Sequence, residues 1–148
     1  MMNKISKNFT WEEFVASDTA KRLGIINQIT DWDARDNIIA LVENVLQPLR
    51  DAYGKPITIN SGYRCAELNK KVGGVATSQH TKGQAADICI DGDLTKGRRW
   101  FDYIKAHLQF DQLIWEHDKS GTYWIHVSYV PAAYGRNRKQ VIDNLLKK

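Results

Sequence analysis

Long apolar runs are missing from this 148-residue chain. No stretch approaches the ~20 apolar residues that cross a bilayer, which excludes a transmembrane helix. The start, "MMNKISKNFTWEEF", carries lysine but no apolar stretch after it, so no secretory signal is expected and synthesis in the cytoplasm is. Cysteine is scarce. Cys65 and Cys89 are the only two, too few for a disulfide scaffold and without the C-x-x-C pairing of a zinc knuckle. They are read as two free, buried or half-buried thiols. Repeats and low-complexity linkers are absent too, and the length suits one domain. Aromatics do not interleave with the basic clusters "KGRR" (96–99) and "GRNRK" (135–139), so neither forms a stacking platform and nucleic acid is not expected as a partner.

What is present is an ordinary globular composition, 43% hydrophobic and 26% charged, with a net charge of +4. That balance favours an anionic partner such as a cell wall. Thr10 and Glu13 form a capping-box pattern ahead of a short helix with Trp11, Phe14 and Val15 inward. "SDTAKRLG" reads as a second helical turn closed by Gly24. A helical period links Ile38, Val42, Val45, Leu49 and Tyr53, and Pro48 inside it predicts a kink or a loosened last turn. A strand is predicted at 55–61, a short helix stopped by Gly73 and Gly74, a strand at 85–91 and a helix at 95–109. "DQLIWEH" and "TYWIHVSYV" read as two strands joined by a tight turn at "DKSG". The segment "RKQVIDNLL" fits strand or helix. Helices followed by mixed strands and helices, with a closing hairpin, predict an α+β fold with a small, mainly antiparallel sheet and flanking helices.

The chemistry gathers on one predicted sheet face. Alternation puts Ala85, Asp87 and Cys89 opposite Ile88 and Ile90. It puts Trp124, His126 and Ser128 opposite Ile125 and Val127. A hairpin that hides Leu113, Trp115, Ile125 and Val127 together pairs Trp115 with Ile125, which sets Glu116 beside Trp124 and one step from His126. One face then collects Asp87, Glu116 and His126, and His80 enters from the loop "SQHTKGQ". A single strand histidine is an ordinary structural residue. Two imidazoles and a carboxylate together match a catalytic zinc centre, and a further carboxylate suits proton transfer.

These segments resemble the zinc D-Ala-D-Ala carboxypeptidase family. "SQHTKGQAAD" is similar to its S-x-H-x-x-G-x-A-x-D signature, and "YWIHVS" to its W-x-H-x-S strand. "ITINSGYRCAELNKKVGG" resembles the segment with the family's substrate-binding arginine. "FTWEEFVASDTAKRLGI" and "LQPLRDAYGKP" resemble the N-terminal part of small phage and bacterial members. The resemblance runs from about residue 9 to 130. It implies a fold shared with hedgehog signalling domains and lysostaphin-type peptidases, and one Zn2+ per chain held by His80, Asp87 and His126. It implies Arg64 as the family arginine, with Ser78, Gln79 and Trp124 completing the substrate-binding set. For the general base, Tyr123 and Gly121 stand where relatives carry glutamate or histidine, so Glu116 is the expected group and His117 a second choice.

The chain is then expected to be one catalytic domain over 1–148: a helical part (9–53), a zinc-site core (55–130) and a basic tail (131–148) too short for a wall-binding domain. The expected activity is peptidoglycan peptide hydrolysis by a monomer, on the wall after release, as an endolysin acts. The competing expectation is a zinc-stabilised binding module of hedgehog-like fold, which needs neither Glu116 nor Arg64.

Overall fold

The computed structural model describes residues 3–144. A two-stranded ribbon opens the chain, β1 (Lys4–Ser6) with β2 (Phe9–Thr10). The helix α1 (Trp11–Val15) starts on Thr10, whose side chain accepts from the Glu13 amide while Glu13 accepts from the Thr10 amide. This is the reciprocal cap that the sequence predicts. Next comes α2 (Asp18–Leu23), capped by Ser17 and closed by Gly24 at φ 71°.

The long helical stretch has three parts: α3 (Trp32–Leu41), a π-helical turn (Val42–Leu46) and α4 (Gln47–Tyr53). Pro48 explains the break. It has no N–H to offer, and its ring crowds the preceding turn. The chain relieves this by widening the turn before Pro48, where the Gln47 amide reaches back five residues to the Val42 carbonyl. The disturbance predicted for the last turn thus falls one turn earlier. The apolar stripe survives it, because Ile38, Leu41, Val42, Val45, Leu46 and Leu49 are all fully buried.

Then follow β3 (Thr58–Ser61), α5 (Ala66–Lys71), a 3-10 turn (Gln79–Lys82), β4 (Ala85–Cys89), α6 (Leu94–His107), β5 (Gln112–His117), β6 (Tyr123–Ser128) and β7 (Gln140–Asp143). The main sheet has the order β3-β4-β6-β5-β7. Every pairing is antiparallel except β5 with β7, which is parallel. The basic tail therefore resolves to an edge strand for 140–143, while residues 145–148 lie outside the described part. Among the described residues no helix is long and apolar enough to cross a membrane.

One sheet face carries Ala86, Ile88, Leu113, Trp115, Ile125 and Val127, all fully buried in one core with the long helix and with Trp100, Phe101 and Ile104 of α6. Apolar burial at about 25 cal/mol per Å² drives this packing. It also fixes the register, since a one-residue slip would expose every one of these side chains. The opposite face carries Asp87, Gln112, Glu116, His126 and Ser128, with Ala85, Ile114 and Trp124 among them.

Candidate metal centre

The register delivers the predicted constellation. Trp115 pairs with Ile125, Glu116 with Trp124 and Ile114 with His126 across β5–β6. Asp87 pairs with His126 across β4–β6. His80 comes from the 3-10 turn just before β4. Ser78 starts that turn by accepting from the His80 amide, and Gly83 ends it at φ 74°. Gly83 has a second reason to be glycine. A Cβ there would collide with the Ala34 carbonyl and come within 2.9 Å of Ile38. The absence of a side chain lets the His80 turn lie against α3.

His80, Asp87 and His126 place their ligand atoms within 4.8 Å of one another. His80 Nε2 is 3.4 Å from Asp87 Oδ2, and His126 Nδ1 is 3.0 Å from Asp87 Oδ1. The other His80 nitrogen, Nδ1, is 2.8 Å from the Gly62 carbonyl. A carbonyl only accepts, so Nδ1 carries the proton and Nε2 presents a lone pair to the cluster. The rings of His80 and His126 meet edge-on, with centroids 5.3 Å apart. Burial pushes the Asp87 pKa up, but the His126 hydrogen bond and the neighbouring His80 imidazole outweigh it and hold the carboxyl below the usual carboxylate range. Asp87 is an anion ready to bind a cation. Two imidazole nitrogens and one carboxylate oxygen, with no fourth His, Cys, Asp or Glu joining them among the described residues, are the donor set and ligand count of a catalytic zinc site. The residues fit the metal.

A cleft of about 550 Å³ runs from His126 over the polar sheet face. Glu116, Ser78 and Gln79 line it together with His126. Trp124 does not line it. It pairs with Glu116 and Cys89 across the strands, and its buried Nε1 has no hydrogen-bond partner among the described residues. His117 pairs with Tyr123, against whose ring it packs, away from the cleft. Both cysteines are half-buried free thiols.

Arg64 is more enclosed than its place after β3 suggests. Its side chain is 16% exposed, and Nη2 is 3.7 Å from Asp87 Oδ2. Nε donates to Ser61 Oγ and Nη1 to Asn69 Oδ1. Burial lowers its pKa, and the Asp87 charge opposes that shift. Arg64 therefore touches the ligand cluster and stands outside the residues lining the large cleft. The sequence reading missed its supports, Ser61 and Asn69, and also the Gly62 carbonyl. A backbone acceptor has no side-chain signature, and Asn69 is brought in only by the fold of α5.

An open sheet face with a His/Asp/His cluster, backed by helices, defines a small α+β metalloprotein of hedgehog-like architecture. The chain belongs to the peptidase M15 family, whose model matches residues 7–128. Among characterised proteins it is similar to the zinc D-Ala-D-Ala carboxypeptidase of Streptomyces albus G, at 38% identity over 82 residues. That alignment covers 55% of this chain and 31% of the relative, so the chain spans about a third of the curated protein it matches.

Proposed function

We propose that the protein is a zinc-dependent peptidase that cleaves peptidoglycan stem or cross-link peptides containing D-amino acids, as a D,D-carboxypeptidase or endopeptidase. The observation that carries this reading is the convergence of His80 Nε2, Asp87 and His126 Nδ1, with His126 lining a cleft that also holds Glu116. Zinc bound by these three residues supplies Lewis acidity, which polarises a peptide carbonyl and acidifies water.

The protein's own groups do the rest. Glu116 lies diagonally across the β5–β6 pair from His126, a separation of about 7–8 Å that a glutamate side chain can span. It takes the proton of the attacking water and delivers it to the leaving amine. Arg64, fixed by Ser61 and Asn69, holds Asp87 in place and offers its remaining donor surface to a substrate carbonyl or carboxylate. Ser78 and Gln79 form one wall of the cleft that receives the peptide. A binding module has no use for a carboxylate in that position, so the cleft position of Glu116 favours the enzyme. The reading includes action as a monomer. The net charge of +4 suits an anionic wall met after release from the producing cell, the setting of an endolysin.

The test is digestion of purified peptidoglycan by the zinc-loaded protein, with fragments identified by mass. New peptide termini at D-amino-acid bonds are expected. An unaltered fragment pattern at stoichiometric zinc rejects the proposal.

A further inference from the structure

The cleft has a second polar end, which the hydrolytic machinery does not use. Asp111, immediately before β5, has a side chain only 3% exposed. It accepts from Arg138 Nε at 2.9 Å and Nη2 at 2.7 Å, from the Arg138 amide at 2.9 Å, and from Gln79 Nε2 at 3.0 Å. The Arg138 side chain is nevertheless 58% exposed. Its guanidinium is thus pinned along one edge by a buried carboxylate, while Nη1 has no partner among the described residues. Anchoring β7 does not require this fork. The Arg138 amide and the Gln140 amide, which donates to the Asp111 carbonyl, already tie that strand. Arg136 lines the same cleft and makes no ion pair among the described residues, and Lys82, also in its lining, adds a third cation. The acidic residues of the cleft are Asp111, which Arg138 neutralises, and Glu116 at the metal end.

We propose that Arg136 and Arg138 form a subsite for a carboxylate of the substrate peptide, two or three residues from the scissile bond. The spacing follows from the sheet. Ile114 is the partner of His126, and Asp111 lies three residues further along the chain, about 10 Å at the rise of a strand. An extended peptide covers that distance in about three residues. A guanidinium held by a buried carboxylate is pre-organised, so little side-chain entropy is lost when it pairs again. In a wall stem peptide the matching group is the free carboxylate of its glutamate. The subsite rests on the peptidase reading, which it deepens by naming the feature that selects the substrate.

The experiment compares two synthetic stem peptides that end in D-Ala-D-Ala and differ only in that carboxylate, free in one and amidated in the other. Steady-state hydrolysis is measured with zinc-loaded parent, Arg136→Gln and Arg138→Gln. Binding of the two corresponding product peptides is followed by titration calorimetry. The parent should favour the acid by about tenfold, seen in KM and in product Kd, the scale of one charge-assisted hydrogen bond. Both variants should bring the acid-to-amide ratio towards one. Arg138→Gln exposes Asp111 to loss of its partner and can weaken the fold. Arg136→Gln leaves no protein group unpaired and keeps the test decisive. Cleavage of both peptides without discrimination by the parent overturns the subsite alone, as does an acid preference that survives Arg136→Gln. Tighter binding of the acid with neither peptide cleaved rejects the peptidase reading and leaves the subsite standing.

Discussion

Asp87 on β4 and His126 on β6 are directly opposed across an antiparallel pair, with Asp87 Oδ1 3.0 Å from His126 Nδ1. Two of the three donors are therefore positioned by sheet hydrogen bonding and by a packed core beneath it. The third, His80, depends on the turn before β4. Zinc is expected at one per chain. His126→Ala and His80→Ala should each abolish stoichiometric zinc under chelator competition, read by elemental analysis, and activity should fall with it. Full zinc retention by either variant would overturn the ligand assignment.

Glu116→Gln keeps the shape of the side chain and its hydrogen bonding but cannot carry a proton. The variant should retain zinc and its melting temperature and lose about 10²–10⁴-fold in turnover, the usual scale of general acid–base catalysis. Parent-like hydrolysis of wall peptide by this variant would remove Glu116 from the mechanism.

The parts of the site that were legible beforehand rest on period-two alternation. Leu113, Trp115, Ile125 and Val127 have to share a buried face, and that alone fixes where Glu116 and His126 go. The capping residues Thr10 and Glu13 marked a helix start for an equally local reason. Long-range pairings were not legible. Val141 and Ile142 are a short apolar pair in a basic tail, and only the free edge of β5 decides that they form a parallel strand. The Asp111–Arg138 fork spans 27 residues and has no local signature. The ribbon of β1 and β2 is held in part by Gln47, which accepts from Ser6 and Asn8 and lies far along the chain. Arg64 was legible only through the family resemblance, and the fold alone shows that Ser61, Asn69 and Asp87 surround it.

Gly83 combines a left-handed backbone with close approach to the Ala34 carbonyl. Gly83→Ala meets both penalties, roughly 1–3 kcal/mol of strain. Because the affected turn carries His80, the variant should lower the melting temperature by several degrees and weaken zinc binding as well. Gly24→Ala, where a Cβ meets nothing within 4 Å, is the control for backbone strain without collision. Equal zinc affinity in Gly83→Ala and parent protein would show that this turn tolerates the shift.

Arg64→Ala removes donors from Ser61 and Asn69 and a cation from the side of Asp87. Stability should fall by about 1–3 kcal/mol, since partly buried acceptors lose their partners. Arg64→Lys is the sharper variant. A single ammonium cannot serve Ser61, Asn69 and Asp87 in the geometry of a planar fork. It should bind zinc and recover part of the lost melting temperature, yet stay well below the parent in turnover. If Arg64→Lys restores turnover fully, the arginine acts only as a positive charge.

Asp111 gives the fold a defined acid limit. Burial pushes its pKa up, but the side-chain and backbone hydrogen bonds from Arg138, with a further one from Gln79, hold it below the ordinary carboxylate value. A carboxyl whose folded pKa is depressed stabilises the protein fully above its unfolded pKa, about 3.9 for aspartate. The contribution is lost as the pH falls through the folded value, because the folded state must then take up a proton that the unfolded state already holds. Stability should therefore be flat in this respect near neutrality and drop below about pH 4. Asp87 contributes with the same sign, so the parent's acid profile alone does not isolate Asp111. Melting curves of the parent and Asp111→Asn at pH 7 and pH 3 separate them. The asparagine variant should be the less stable at pH 7, since it leaves Arg138 without its anion, and the gap should narrow at pH 3. A gap that stays constant across that range would mean that Asp111 is not the titrating partner of Arg138.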